Sequence, residues 1–203
     1  MTFFHKIPIF FFSLFYPLKV YGKENIPNGG AILICNHFRA IDCGFIVRAD
    51  KKDNIKFLAK NELFKNKLFG KIVKSYGAIP IDRENPDMKS LLAAIRTIKD
   101  GNKLCIFPEG TRNKTGTNEL QDIKDGAEVF AVRAKCPIVP IMILKKSKIF
   151  RKTHMIIGKP FTLEDFYGKK LTEIDMENMS NIVREKMIEQ QKILIDITTK
   201  KKK

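Results

Sequence analysis

The 203-residue chain contains no tryptophan, only three histidines, and four cysteines that fall in no Cys-x-x-Cys pair. Zinc-finger spacing is therefore absent, and the pattern argues against a disulfide-stapled secreted scaffold; a reducing environment suits isolated thiols at positions 35, 43, 105 and 136. Long apolar runs are missing too. The longest uncharged apolar stretch near a terminus covers residues 7–18, about 18 Å as helix against a hydrocarbon core of about 30 Å, so it does not span a bilayer as one helix. It also makes a poor signal peptide, since the positive region before it holds only His5 and Lys6, Pro8 and Pro17 bracket it, and no small-residue cleavage site follows. Acidic residues are scarce: 22 against 38 Lys and Arg leave a net charge of +16, distributed along the chain and not confined to its tail. Such a field attracts phosphate, whether on nucleic acid, anionic lipid or a small substrate. With 44% apolar residues the chain nevertheless has ample material for one core.

Short β-branched runs at 31–35, 55–58, 78–81, 103–107, 138–143 and 154–157 read as strands, with a further short one from Lys19. Between them, apolar positions recur at helical spacing over 63–73, 91–98 and 129–134, and residues 173–197 form a last amphipathic helix. This alternation predicts an α/β fold, a mixed, largely parallel sheet flanked by helices. The expected organisation is an N-terminal apolar, membrane-associating helical segment over 1–20, one α/β domain over 21–197, and a basic tail over 198–203. Five aromatics in the seven residues 10–16 give the first segment its membrane-seeking character, the alternative being a core helix of the globule.

Two motifs carry possible chemistry. Asn-His-Phe-Arg-Ala-Ile-Asp over 36–42 follows the strand at 31–35. His37 and Asp42 would stand about 140° apart on an ideal helix, so they meet only if the histidine lies in a loop and the aspartate in the first helical turn. There, Asp42 would fix the ring's tautomer and free the other nitrogen to take a proton from an alcohol; alternatively His37 closes a loop and Asp42 caps a helix. The second motif, Phe-Pro-Glu-Gly-Thr-Arg over 107–112, sets a carboxylate, backbone amides, a hydroxyl and a guanidinium fork in succession, a set suited to phosphate or a hydroxyl-rich ligand.

With Gly-Ala-Ile-Pro-Ile-Asp-Arg over 77–83 and the proline-centred Ile-Val-Pro-Ile over 138–141, these blocks resemble, in order, those of the glycerophospholipid acyltransferase family, specifically the 1-acylglycerol-3-phosphate (lysophosphatidate) acyltransferases. Lys60 sits in a stretch similar to the family's lysine-bearing segment, and Lys124 and Gly126 in a later one. The resemblance spans about residues 20–160. It implies transfer of a fatty acyl group from acyl-CoA or acyl carrier protein to the free hydroxyl of lysophosphatidate, giving phosphatidate. His37 would be the general base oriented by Asp42. Lys60, Arg83 and Arg112 would hold the acceptor phosphate, with Glu109, Gly110 and Thr111 in the same substrate-binding loop. Backbone amides near His37 or around Gly110 would bind the oxyanion. No cofactor and no metal is implied beyond the acyl donor. The alternatives are the same chemistry on glycerol-3-phosphate or another lysolipid, or a nonenzymatic protein that binds anionic membrane.

Two positions depart from the family pattern: Arg39 stands where many relatives have Ser, as an extra cation beside the base or a further phosphate contact, and Asn113 follows the Glu-Gly-Thr-Arg block where Ser is frequent. Cys35 and Cys43 flank the histidine motif and suggest a thiolate acylated first; a cysteine ending a buried strand is instead expected to be inert. No interleaved aromatic and basic strand of the RNA-binding type occurs, so nucleic acid is not an expected partner. The expected partners are lysophosphatidate, the acyl donor and an anionic membrane surface, and the expected location is the cytoplasmic face of the cell membrane, monotopic or peripheral.

Overall fold

The computed structural model of the chain describes residues 12–50, 55–65, 70–71, 73–74, 77–82, 88–115, 117–124, 126–144 and 147–200. Seven strands, β1 (Leu18–Tyr21), β2 (Ala31–Cys35), β3 (Ile55–Lys60), β4 (Ile79–Ile81), β5 (Lys103–Ile106), β6 (Ile138–Leu144) and β7 (Thr153–Ile157), form one sheet in the order β1-β7-β6-β2-β5-β3-β4. β2 to β6 run parallel, whereas β7 pairs antiparallel with β6 and carries β1 parallel to itself. The mixed, largely parallel α/β sheet expected from the alternation is thus what the chain builds. Residues 18–20, assigned by sequence to the membrane-associating segment, enter it as part of β1.

β2 is central and buried at every position, which is why it reads as an unbroken apolar run and not as an alternating one. Its pleat sends Ile32 and Ile34 to one face and Ala31, Leu33 and Cys35 to the other, seeding two cores. Helices α3 (Met88–Lys99), α4 (Ala127–Ala134) and α5 (Glu173–Lys200) cover the first face with Ala94, Ile98, Phe130, Met179, Val183 and Met187. The second face is covered by α1 (Asp42–Ala49) through Phe45, Ile46 and Ala49, joined by Phe12 and Tyr16 of the N-terminal stretch. Each fully buried aliphatic side chain contributes about 1.5–3 kcal/mol, so both layers of helices are held by the strands' period of two. Gly30 marks how tightly they close: a Cβ there would lie 2.0 Å from the carbonyl oxygen of Ile98.

Within the helical pattern expected over 63–73, the described residues give a short helix α2 (Asn61–Lys65) and helical residues 70–71 and 73–74. Pro80, improbable in a central strand, is accommodated because β4 is an edge. The N-terminal aromatics divide between the two readings open to them. Phe12 stacks on Tyr16 with 5.1 Å between centroids and packs on Phe45, while Leu14 and Phe15 face outward; residues 7–11 lie outside the described set. Among the described residues, no helix is long and apolar enough to cross a membrane.

Candidate active site

All five parallel strands point their carboxyl ends to one edge of the sheet, the place where open α/β folds gather functional side chains. Asn36 leaves β2 there. Its side-chain amide donates to the carbonyl of Ile143 at 3.0 Å, and its side-chain oxygen accepts the Ile143 N–H at 2.8 Å, so a side chain extends the ladder to β6 one step further. The chain then turns through residues 37–41 into α1.

Asp42 organises that turn. Its Oδ2 accepts three hydrogen bonds, from His37 Nδ1–H at 3.0 Å and from the N–H groups of Phe38 and Arg39 at 2.7 Å each, and the side chain is fully buried. An ionised carboxylate only accepts, so the proton of the ring sits on Nδ1 and the lone pair on Nε2. The capping alternative is not what the residue does: the N-cap of α1 is Ile41, with no side-chain cap, and Asp42 bonds backward to the loop before it. His37 stacks on Phe107 with 3.9 Å between centroids and 19° between planes.

The second motif clamps the same histidine by its backbone. The His37 N–H donates to Glu109 Oε1 at 2.9 Å, and the His37 carbonyl accepts the Asn113 N–H at 2.7 Å. Glu109 is buried within a turn closed by Gly110 N–H to the Phe107 carbonyl at 3.0 Å, with Pro108 and Glu109 as the central residues. Gly110 sits at φ 68°, and a Cβ on it would meet the Lys124 side chain at 2.9 Å. Burial pushes the Glu109 carboxyl above its ordinary value, opposed by backbone hydrogen bonds from His37 and Gln121. Asn113 is buried and staples the following loop: its amide donates to the Glu119 carbonyl, and its oxygen accepts from the N–H and hydroxyl of Thr115.

A cavity of about 670 Å³ opens in front of His37. Its wall is apolar for the most part, with Phe12, Ile41, Val47, Leu63, Val73 and Phe107 among the lining side chains. The cations Lys60, Arg112 and Lys114 line it together with Gly110 and Thr111. Of the expected site residues, His37, Lys60, Gly110, Thr111 and Arg112 therefore share one cavity, Asp42 stands behind the histidine and Glu109 is bonded to its amide. Arg83 lies outside the described residues.

Two expectations change. The amides of His37 and Gly110 are already engaged, with Glu109 and Phe107, and those of Phe38 and Arg39 with Asp42, so none of these four is a free oxyanion donor. Arg39 donates through Nη1 to the Ser147 carbonyl at 3.1 Å, a structural tie in place of the expected cation beside the base. The apolar wall, Lys114 and the bridging role of Asn36 were not foreseen; only the neighbourhood of Phe107 and Lys114 to the second motif hinted at the first two.

Thiolate chemistry has no support in this setting. Burial, reinforced by Asp42, pushes the Cys43 thiol up to about 12, and burial likewise raises Cys35 and Cys105. Among the described residues no group of three or more His, Cys, Asp and Glu side chains is placed to hold a metal ion.

Residues 17–144, which include the whole of this edge as far as the end of β6, match the family model described as Acyltransferase. The chain belongs to the acyltransferase family. It is 37% identical over 155 residues to the 1-acyl-sn-glycerol-3-phosphate acyltransferase of Bacillus subtilis, covering 73% of this chain and 76% of the relative. A protein of that description from Streptococcus pneumoniae is 31% identical over 172 residues, 81% of this chain and 62% of the relative. Among solved structures, the crystal structure of the 1-acyl-sn-glycerophosphate acyltransferase PlsC from Thermotoga maritima aligns with a TM-score of 0.66 at 25% identity, over 89% of this acyltransferase and 75% of that chain.

Proposed function

We propose that this acyltransferase moves a fatty acyl group from the thioester of coenzyme A or acyl carrier protein to the free hydroxyl of lysophosphatidate, giving phosphatidate. The observation that carries the reading is the bond from His37 Nδ1 to Asp42 Oδ2 at the wall of an apolar cavity that also holds Lys60, Arg112 and Lys114. An alcohol is a weak nucleophile at neutral pH. His37 Nε2 takes its proton as the oxygen attacks the thioester carbonyl, and the Asp42 carboxylate faces the imidazolium that forms. A C–O bond forms, the tetrahedral oxyanion collapses with loss of the C–S bond, and the departing thiolate takes the proton back from His37. The thioester is already activated, so no acyl-enzyme is required.

The apolar wall suits an acyl chain, and its volume lies within the roughly 300–1,000 Å³ of small-molecule sites. The cations at its rim supply fixed positive charge for the acceptor's phosphate, with Arg112 able to contact two oxygens at once. Both acceptor and product are membrane lipids, which places the enzyme on the cytoplasmic face of the cell membrane in this reading, with the N-terminal aromatics as one anchor.

The test is transfer of radiolabelled acyl groups by the purified full chain, from acyl-CoA and from acyl carrier protein in parallel, to lysophosphatidate, glycerol-3-phosphate and other lysolipids. Lysophosphatidate is expected to give the highest kcat/KM. His37→Ala lowers kcat by about 10² or more, while Arg112→Ala mainly raises KM for the phosphorylated acceptor. Turnover undiminished in the His37 variant, or an acceptor preference that excludes lysophosphatidate, overturns the proposal.

A further inference from the structure

The connection from β6 to β7 emerges at the carboxyl edge of the sheet beside the candidate active site. Ser147 at its root is buried, and its carbonyl is held by the guanidinium of Arg39, two residues past His37. At its tip the chain turns outward. Ile149 is 55% exposed and Phe150 70% exposed, next to Leu14 at 61% and Phe15 at 42%. The two loops are built as one unit: Phe150 N–H donates to the Phe15 carbonyl at 2.7 Å, Thr153 N–H to the Pro17 carbonyl at 2.8 Å, and the rings of Phe15 and Phe150 lie 5.6 Å apart. Phe150 holds φ at 57°, a conformation that a bulky side chain disfavours and that turns an aromatic ring toward solvent where burial would be the default.

Beside these four apolar tips stand Lys148, Arg151 and Lys152, all exposed. Neither 12–22 nor 145–153 contains an acidic residue. An apolar tip with an unopposed basic rim is complementary to one environment in particular, an anionic lipid surface, where the rings enter the acyl boundary and the cations meet headgroups. We propose that residues 14–15 and the β6–β7 connection form a lipid-docking wedge whose occupant is an anionic bilayer. Through Arg39 the wedge is tied to the catalytic loop, so docking sets the mouth of the cavity against the membrane. The inference deepens the reading that the acceptor is a membrane lipid and rests on it for its purpose.

The absence of tryptophan makes the test direct. Phe150→Trp in the full chain gives a single emitter at the tip. Vesicles of phosphatidylcholine with phosphatidylglycerol are expected to shift its emission to shorter wavelength, and lipids brominated on their acyl chains to quench it. The control is Ile174→Trp, also on an exposed apolar position but at the start of α5, past the bridge from Phe161 to Ile138 at the opposite edge; it is expected to stay unquenched. Ile149→Ser with Phe150→Asn, the latter tolerant of positive φ, lowers vesicle affinity by about tenfold or more. Lys148→Gln with Lys152→Gln lowers it by roughly 30-fold on anionic vesicles and leaves binding to neutral ones unchanged. Emission from the Phe150→Trp variant that is neither shifted nor quenched, or wild-type vesicle affinity in the Ile149/Phe150 variant, overturns the proposal. So does loss of transfer from acyl carrier protein with vesicle binding intact, which assigns the surface to the carrier. Because docking is read without turnover, a chain that docks yet fails to acylate lysophosphatidate refutes the proposed function and leaves this inference standing.

Discussion

Replacing Asp42 by Asn changes two oxygens into an oxygen and an NH₂ group, without altering the volume behind His37. Three donors converge on Oδ2, so the amide oxygen must take that position and the NH₂ group must occupy the site of Oδ1, a buried atom without a hydrogen-bond partner. Hydrogen bonds to a charged acceptor contribute about 1.5–3 kcal/mol and neutral ones about 0.5–1.5, so three bonds weaken by about 3 kcal/mol in sum, offset in part by the lower desolvation cost of a neutral amide. The fold is therefore expected to survive with reduced stability. Catalysis suffers more. A unit charge 3.0 Å from the imidazolium is worth about 5 kcal/mol at an effective dielectric of about 20, and relaxation of the loop lowers that figure. With about 1.4 kcal/mol per decade, a kcat loss of about 10²–10⁴ is expected, KM for both substrates staying within about threefold. The assay is saturating acyl transfer beside thermal unfolding followed by circular dichroism. A variant that is folded and retains kcat within about threefold of the parent refutes the assignment of Asp42 as the residue that supports His37.

Cys43→Ala is expected to keep kcat within about threefold, because a thiol raised to about 12 does not act as a nucleophile at neutral pH; a loss of about 10² in an acyl-transfer assay revives the thiolate route. Glu109 carries a carboxyl raised by burial, so the native state holds its proton more tightly than the unfolded chain, and its contribution to stability is present below the ordinary glutamate value of about 4.3 and lost as pH rises through the raised value. In urea unfolding from about pH 4 to 7, Glu109→Gln should thus gain on the parent as pH rises, and a constant difference contradicts the sign. At the far end of the sheet Lys103 Nζ and Asp50 Oδ2 form a buried pair at 3.3 Å; Lys103→Met removes the cation that faces this carboxylate and is expected to cost about 3–5 kcal/mol, about 10 °C in Tm, with most of it recovered when Asp50→Asn is added.

What could be read from the amino acids follows the range of the forces involved. β2 was legible because all five of its residues are apolar and flanked by turn signals, and α3 because Leu91, Leu92, Ile95 and Ile98 recur at helical spacing, although Leu92 turns out to be exposed and Ala94 buried. The encounter of His37 with Asp42 was legible as well, since it depends only on a loop of known length opening into a helix. The pairing of β1 with β7 was not, because its register is set by a partner more than 100 residues along the chain. Arg39 misled for the same reason. Its charge invited a place beside the base, and only the position of Ser147, 108 residues on, shows that a backbone carbonyl claims it. Asn36 belongs with it: nothing local announces that its amide will substitute for one more residue of strand against Ile143.

These long-range ties explain why the two motifs occur together. A histidine that must hold Nε2 in a fixed direction needs its ring and its peptide restrained. Asp42 restrains the ring, and the 107–113 loop restrains the peptide on both sides, by Glu109 at the N–H and Asn113 at the carbonyl. The same loop places Thr111 and Arg112 on the cavity wall. A displacement of the turn at 107–110 therefore moves His37 and Arg112 in one step. Substitutions in it are expected to lower kcat and raise KM together, whereas those at Lys60, which shares the cavity but makes no bond to the histidine loop among the described contacts, act on KM alone. Such a division separates a site assembled from two independent pieces from one in which binding loop and catalytic loop are a single hydrogen-bonded body.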